Sequence, residues 1–97
     1  MRVEFSAEAE SQVLHIDDWW RSHRRASPDL FGDELDATLE RIVLNPKGVV
    51  YEQEDLDEIV YRVLMPRTRH HVYYVLKADV VFVLSVWGAV KERGPKL

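Results

Sequence analysis

The sequence predicts an α+β domain in the order β-α-α-β-β-β, a helical hairpin packed on an antiparallel sheet. Three observations predict it. Apolar residues recur at helical spacing through the first half, short β-rich runs fill the second half, and the joints between those runs span only a few residues. The 97 residues suffice for one domain, 1–97, with a single two-layer core.

In the first element Val3 and Phe5 alternate with Arg2 and Glu4, the period of a half-buried strand, and Ser6 then offers an N-cap. Ala9, Val13, Ile16 and Trp20 share one face of the helix that follows. Adjacent Trp19 falls at the border of that stripe. The stretch SHRRASP breaks the pattern, and Ser27-Pro28-Asp29 restarts it with a cap, a proline at the first helical position and an acid at the positive end of the dipole. Phe31, Leu35, Thr38 or Leu39, and Ile42 then keep the period as far as Asn45-Pro46-Lys47-Gly48, where proline disfavours helix at the residue before it. The acidic run EQEDLDE at 52–58 reads as a solvated connector. Beyond it, residues 59–65, 70–76 and 80–87 are strands of a meander, joined by Pro66-Arg67-Thr68-Arg69 and Lys77-Ala78-Asp79.

Composition excludes several classes. With no cysteine the chain has neither disulfides nor thiolate metal sites. The start, MRVEFSAEAE, lacks an apolar signal core, and the longest apolar run falls far short of the roughly 18 residues of a membrane span, so a soluble cytoplasmic chain is expected. A net charge of −4 argues against a surface that clings throughout to nucleic acid. No cofactor or metal is expected. Neighbours His70 and His71 point to opposite faces of a strand, and His15 and His23 lie about 12 Å apart along a helix. No Gly-rich phosphate loop, nucleophile elbow or helical zinc motif occurs. Arg21, His23, Arg24 and Arg25 suit the C-terminal end of a helix dipole, and Arg67 and Arg69 a solvated hairpin.

Strand alternation divides the sheet into two faces. Tyr61, Val63, Met65, Val72, Tyr74, Leu76, Val80, Phe82, Leu84 and Val86 form the set expected against the helices. The opposite face would carry Leu64, Val75, Val81, Val83 and Trp87, fringed by Arg62, His71 and Tyr73. Such a face is too apolar to stand in water. Either a partner polypeptide covers it or residues 88–97 fold back over it. The aromatic and arginine fringe favours the partner.

The opening VEFSAEAESQVLHI, the second helix ending in NPKG, and the strands YRV, HHVYYVL and VVFVLSVWG together resemble the RelE/ParE toxin superfamily of bacterial toxin–antitoxin modules. The resemblance spans nearly the whole chain. It implies a toxin neutralised by an antitoxin that wraps its apolar surfaces, on the residues Arg62, Leu64, His71, Tyr73, Val75, Val81, Val83 and Trp87. Members similar to ParE poison DNA gyrase, whereas RelE-like members cut mRNA on the ribosome with basic sheet residues and a Tyr or His near the C-terminus. RNA cleavage by the 2′-OH needs a base, an acid and cations for the phosphate. On the resemblance Arg62 and His71 match two RelE positions, Leu64 replaces a third, and the tail offers Lys91 and Arg93 but no Tyr or His. A ParE-like gyrase inhibitor is therefore the expected function. The alternatives are a ribosome-dependent endoribonuclease using Arg62, His71, Tyr73 and Arg93, or a relic that binds its partner without toxicity.

Overall fold

The structure, a computed structural model, describes residues 1–52, 57–89, 94–95 and 97. The elements are β1 (Arg2–Phe5), α1 (Ala7–His23), α2 (Leu30–Leu44), β2 (Val49–Val50), β3 (Tyr61–Met65), β4 (His70–Lys77) and β5 (Val80–Gly88). All five strands join one sheet in the order β1-β5-β4-β3-β2, and both helices cover one of its faces, the α+β layout expected. The meander β3-β4-β5 is antiparallel. The intervening chain forms a crossover that brings β1 alongside β5 in parallel, Val3 beside Val81 and Phe5 beside Val83. The two-residue β2 pairs with β3 at the other edge. Among the described residues no helix is long and apolar enough to cross a membrane.

Helix α1 starts where the cap signal places it, the Ser6 hydroxyl accepting the Ala9 N–H at 3.0 Å. Its stripe of Ala9, Val13, Ile16 and Trp20 packs into the core. Helix α2 begins at Leu30, two residues beyond Pro28, because Ser27 to Asp29 form a turn in which the Leu30 N–H donates to the Ser27 carbonyl at 3.3 Å. Phe31, Leu35, Thr38 and Ile42 are its buried face, as the period predicts. After α2, the Pro46 carbonyl accepts the Tyr74 hydroxyl at 2.6 Å. A Cβ on Gly48 would lie 3.0 Å from both that hydroxyl and a Val63 methyl, so glycine lets the linker pass close over β3 and β4.

The two-face division holds for β3 and β4. Tyr61, Val63, Met65, Val72, Tyr74 and Leu76 face the helices. In β5 it fails for half the strand: Val81 and Val83, expected outside, are 0% exposed in the helix-facing core. Phe82 and Leu84, expected inside, pack on the other face. Past that point Val86 lies inside and Trp87 outside, as alternation predicts. A β-bulge is the cause. Tyr74 pairs with Val83 but Tyr73 pairs with Ser85, so Leu84 is an extra residue and the parity of β5 switches there.

Helix α1 satisfies the backbone groups that the bulge disturbs. The Ser6 N–H and hydroxyl donate to the carbonyls of Val83 and Leu84 at 2.9 and 3.1 Å. The Gln12 carbonyl oxygen accepts from the Val86 N–H and the Ser85 hydroxyl, each at 2.9 Å. A bulge whose polar groups are bonded in this way is a stable feature of a buried strand.

Candidate functional site

The face of the sheet away from the helices carries a second, smaller apolar cluster. Val60, Tyr73 and Val75 are buried in it, with Tyr51, Phe82, Leu84, Trp87 and Leu97 packed against them. Tyr51 is the central cover. Its N–H donates to the Val60 carbonyl at 2.7 Å, its ring meets Tyr73 edge to face at 4.8 Å, and its hydroxyl donates to the Pro95 carbonyl at 3.5 Å. Gly94 lies so near that a Cβ there would come within 2.3 Å of the Tyr51 hydroxyl. Part of the face that alternation left to a partner is thus covered by the chain itself, through Tyr51 and the described residues of 94–97. Tyr73 and Val75 are each 2% exposed beneath that cover.

What stays open is a strip along the strands. Leu64 is opposite His71, and His71 is opposite Trp87, so the three form one cross-strand row. Leu64 is 42% exposed. Arg62, opposite Tyr73, borders the row and sets its guanidinium 5.6 Å from the centre of the Tyr51 ring. The structure therefore brings Arg62, Leu64, His71, Tyr73, Val75 and Trp87 to one face and removes Val81 and Val83 from it. Arg93, like Lys91, lies outside the described residues.

The chemistry of this strip follows from its electrostatics. Burial, and then the Arg62 charge, hold the His71 imidazole below its ordinary pKa of 6.5, so it is neutral at pH 7 and able to accept a proton. Burial pushes the Tyr73 phenol above its ordinary 10, against a hydrogen bond with Arg62 and the Arg62 charge. The result is a neutral base beside a cation and a shielded phenol that does not reach solvent. It can hold an anionic or amphipathic partner.

The β3–β4 turn explains the cluster of arginines above it. Glu34, buried on α2, accepts the Arg67 and Thr68 N–H groups at 2.8 Å each and the Thr68 hydroxyl at 2.7 Å. Burial raises the Glu34 pKa, but the bonds from Thr68 and Arg67 and the Arg67 charge outweigh it, and the net value lies below the ordinary 4.5. The turn is thus fastened from inside, leaving Arg67 and Arg69 in water.

Sequence reasoning missed Tyr51, Phe82, Leu84 and Glu34. Tyr51 sits on a connector without periodicity, and Phe82 and Leu84 were hidden by the bulge. Glu34 did leave a signal. It lies three residues after Phe31 and four before Thr38, hence on the buried stripe, and a lone acid there needs donors.

A helical pair on one face of a sheet, with a partly covered and partly open strip on the other, makes this chain a small two-layer α+β domain. The chain superposes on a chain of the structure described as "Chromosomal ParDE TA system from P. aeruginosa" with a TM-score of 0.61, over 91% of this chain and 95% of that one. At 13% identity the likeness is one of fold. No family model matches the sequence, and no curated protein matches it.

Proposed function

We propose that the chain is the toxin of a type II toxin–antitoxin pair, neutralised by a cognate antitoxin and acting by binding DNA gyrase. The observation that carries this reading is the fold shared over 91% of the chain with a chain of the P. aeruginosa ParDE system. Binding is favoured over RNA cleavage because Tyr73 is buried, and because exposed Leu64 occupies the place where a second sheet cation would serve phosphate. The antitoxin covers the row Leu64, His71 and Trp87 and anchors on Arg62. Tyr73 and Val75 join that contact only where Tyr51, Gly94, Pro95 and Leu97 yield. Val81 and Val83 take no part.

Induced expression tests this. Filamentous cells with damaged DNA, and loss of gyrase supercoiling activity with the purified chain, are the expected results. Healthy growth would leave a partner-binding relic, and arrested translation with cut mRNA would replace gyrase by the ribosome. One observation favours the ribosomal endoribonuclease as a second reading: neutral His71 stands beside the cation of Arg62. Under the gyrase reading His71→Ala leaves the growth arrest intact, whereas under the nuclease reading it abolishes mRNA cleavage.

A further inference from the structure

A second concave surface lies on the helical side, between α1 and the β3–β4 turn. His15, Ile16, Trp19 and Trp20 form one wall and Arg69 and His70 the other, enclosing about 560 Å³. It continues past His15 and His70 into a recess of about 290 Å³ beside Gln12 and Trp87. Arg24 closes one end, its guanidinium 5.5 Å from the Trp19 ring and 6.0 Å from the Trp20 ring. Among the described residues no carboxylate lines either part. Of the acids near this end of α1, Asp17 and Asp29 are both engaged by Arg21 at 2.9 Å, and Asp18 stands exposed next to Trp19 without lining the groove.

The walls are preorganised. Trp19 is 44% exposed yet fixed by stacking on His23, with ring centres 4.7 Å apart. Arg69 has a φ of 65°, a conformation that side chains other than glycine rarely adopt, and it is held there by its N–H to the Met65 carbonyl and by the Ala89 N–H on its own carbonyl. Behind it, Thr68 links Glu34 to His70, whose Nδ1 lies 3.3 Å from the Thr68 hydroxyl. An arginine with a fixed backbone, Arg69, and one whose guanidinium lies by the indoles, Arg24, thus stand beside an exposed Trp19, the combination of aromatic and arginine that carries binding at protein interfaces.

We infer that this groove docks a short acidic peptide segment bearing a large apolar side chain, whose carboxylates meet Arg24 and Arg69 while the apolar side chain lies against Trp19 and Ile16. Charge complementarity selects the occupant. The cationic groove is cut into a chain of net charge −4, and planar guanidinium groups match carboxylates with paired hydrogen bonds. The volume suits a few side chains. A nucleic acid is disfavoured, because phosphate chains are held by many cations and the overall charge repels them. The main groove lies on the helical side and meets the outer-face row only at Trp87, which lines its recess, and its occupancy does not depend on whether the chain is toxic.

Fluorescent peptides carrying one Leu flanked by Glu, and matched peptides flanked by Gln, titrated with the full chain at low and high salt, test it. The Glu peptide is expected to bind roughly tenfold more tightly than the Gln peptide, with the advantage shrinking as salt rises. Arg69→Gly and Arg24→Gln should each weaken the Glu peptide by roughly three- to tenfold. Glycine fits the φ of residue 69, so the first variant melts no lower than the parent and its loss of binding is not unfolding. Trp19→Ala should weaken both peptides alike. The proposal is overturned by equal binding of the two peptides, by binding of neither, by indifference to both arginine substitutions, or by a short single-stranded RNA that binds more tightly than the Glu peptide.

Discussion

The two faces of the sheet are built from the same strands but closed in different ways. The helix-facing side is sealed by two amphipathic helices and, among the described residues, holds ten buried ones in one cluster. Among the described residues the other side holds three, closed by Tyr51 with Gly94, Pro95 and Leu97, which reach it from distant parts of the sequence. A face sealed by periodic elements is complete and stable. One sealed by a single tyrosine and a few C-terminal residues leaves the strip Leu64, His71 and Trp87 open, and that is where partner binding is proposed.

Truncating the sealed face should have the largest effect. Phe31→Ala leaves a cavity beneath α2 and beside the His70 ring, and should cost about 3–5 kcal/mol by chemical denaturation. Glu34→Ala leaves the turn N–H groups of Arg67 and Thr68 without their acceptor, and should cost about 2–3 kcal/mol. The Glu34 pKa is depressed on folding, so its contribution is complete above the ordinary 4.5 and fades as pH falls through the lower folded value. Melting temperatures across the acid range should therefore fall less steeply in Glu34→Gln than in the parent.

On the second face, Tyr51→Ala removes the cover. It should cost about 2 kcal/mol, and it should raise the fluorescence of an apolar dye as Tyr73 and Val75 open to solvent. The unchanged dye signal of Phe31→Ala under native conditions would confirm that the gain belongs to the outer face. Gln12→Ala tests what sets the parity of β5. It strips the acceptor from the Ser85 hydroxyl and the Val86 N–H and should cost about 1–2 kcal/mol, with the loss of amide-exchange protection greatest at residue 86. The smallest change is electrostatic. Arg62→Gln should raise the His71 pKa in an NMR titration while leaving it below 6.5, since burial is the larger cause of its depression.

Much of this was legible before any coordinates. The stripes Ala9, Val13, Ile16, Trp20 and Phe31, Leu35, Thr38, Ile42 are local repeats, and each face of β3 and β4 followed from simple alternation. The open strip Leu64, His71, Trp87 with Arg62 was also readable, because those positions lie outside the reach of the bulge. Val81 and Val83 were misplaced because alternation assumes an unbroken ladder. Tyr51 was overlooked because its role rests on contacts with Tyr73 and Pro95 rather than on its neighbours in sequence.

The sequence by itself determined the kinds of element, their order and the apolar side of each helix, since these depend on residues within a turn or two of one another. Tertiary structure decided where β5 changes parity, how Glu34 fastens the arginine-rich turn, and how much of the outer face the chain covers for itself. Each of those outcomes depends on hydrogen bonds or packing between groups more than thirty residues apart, and no local period encodes such a pairing.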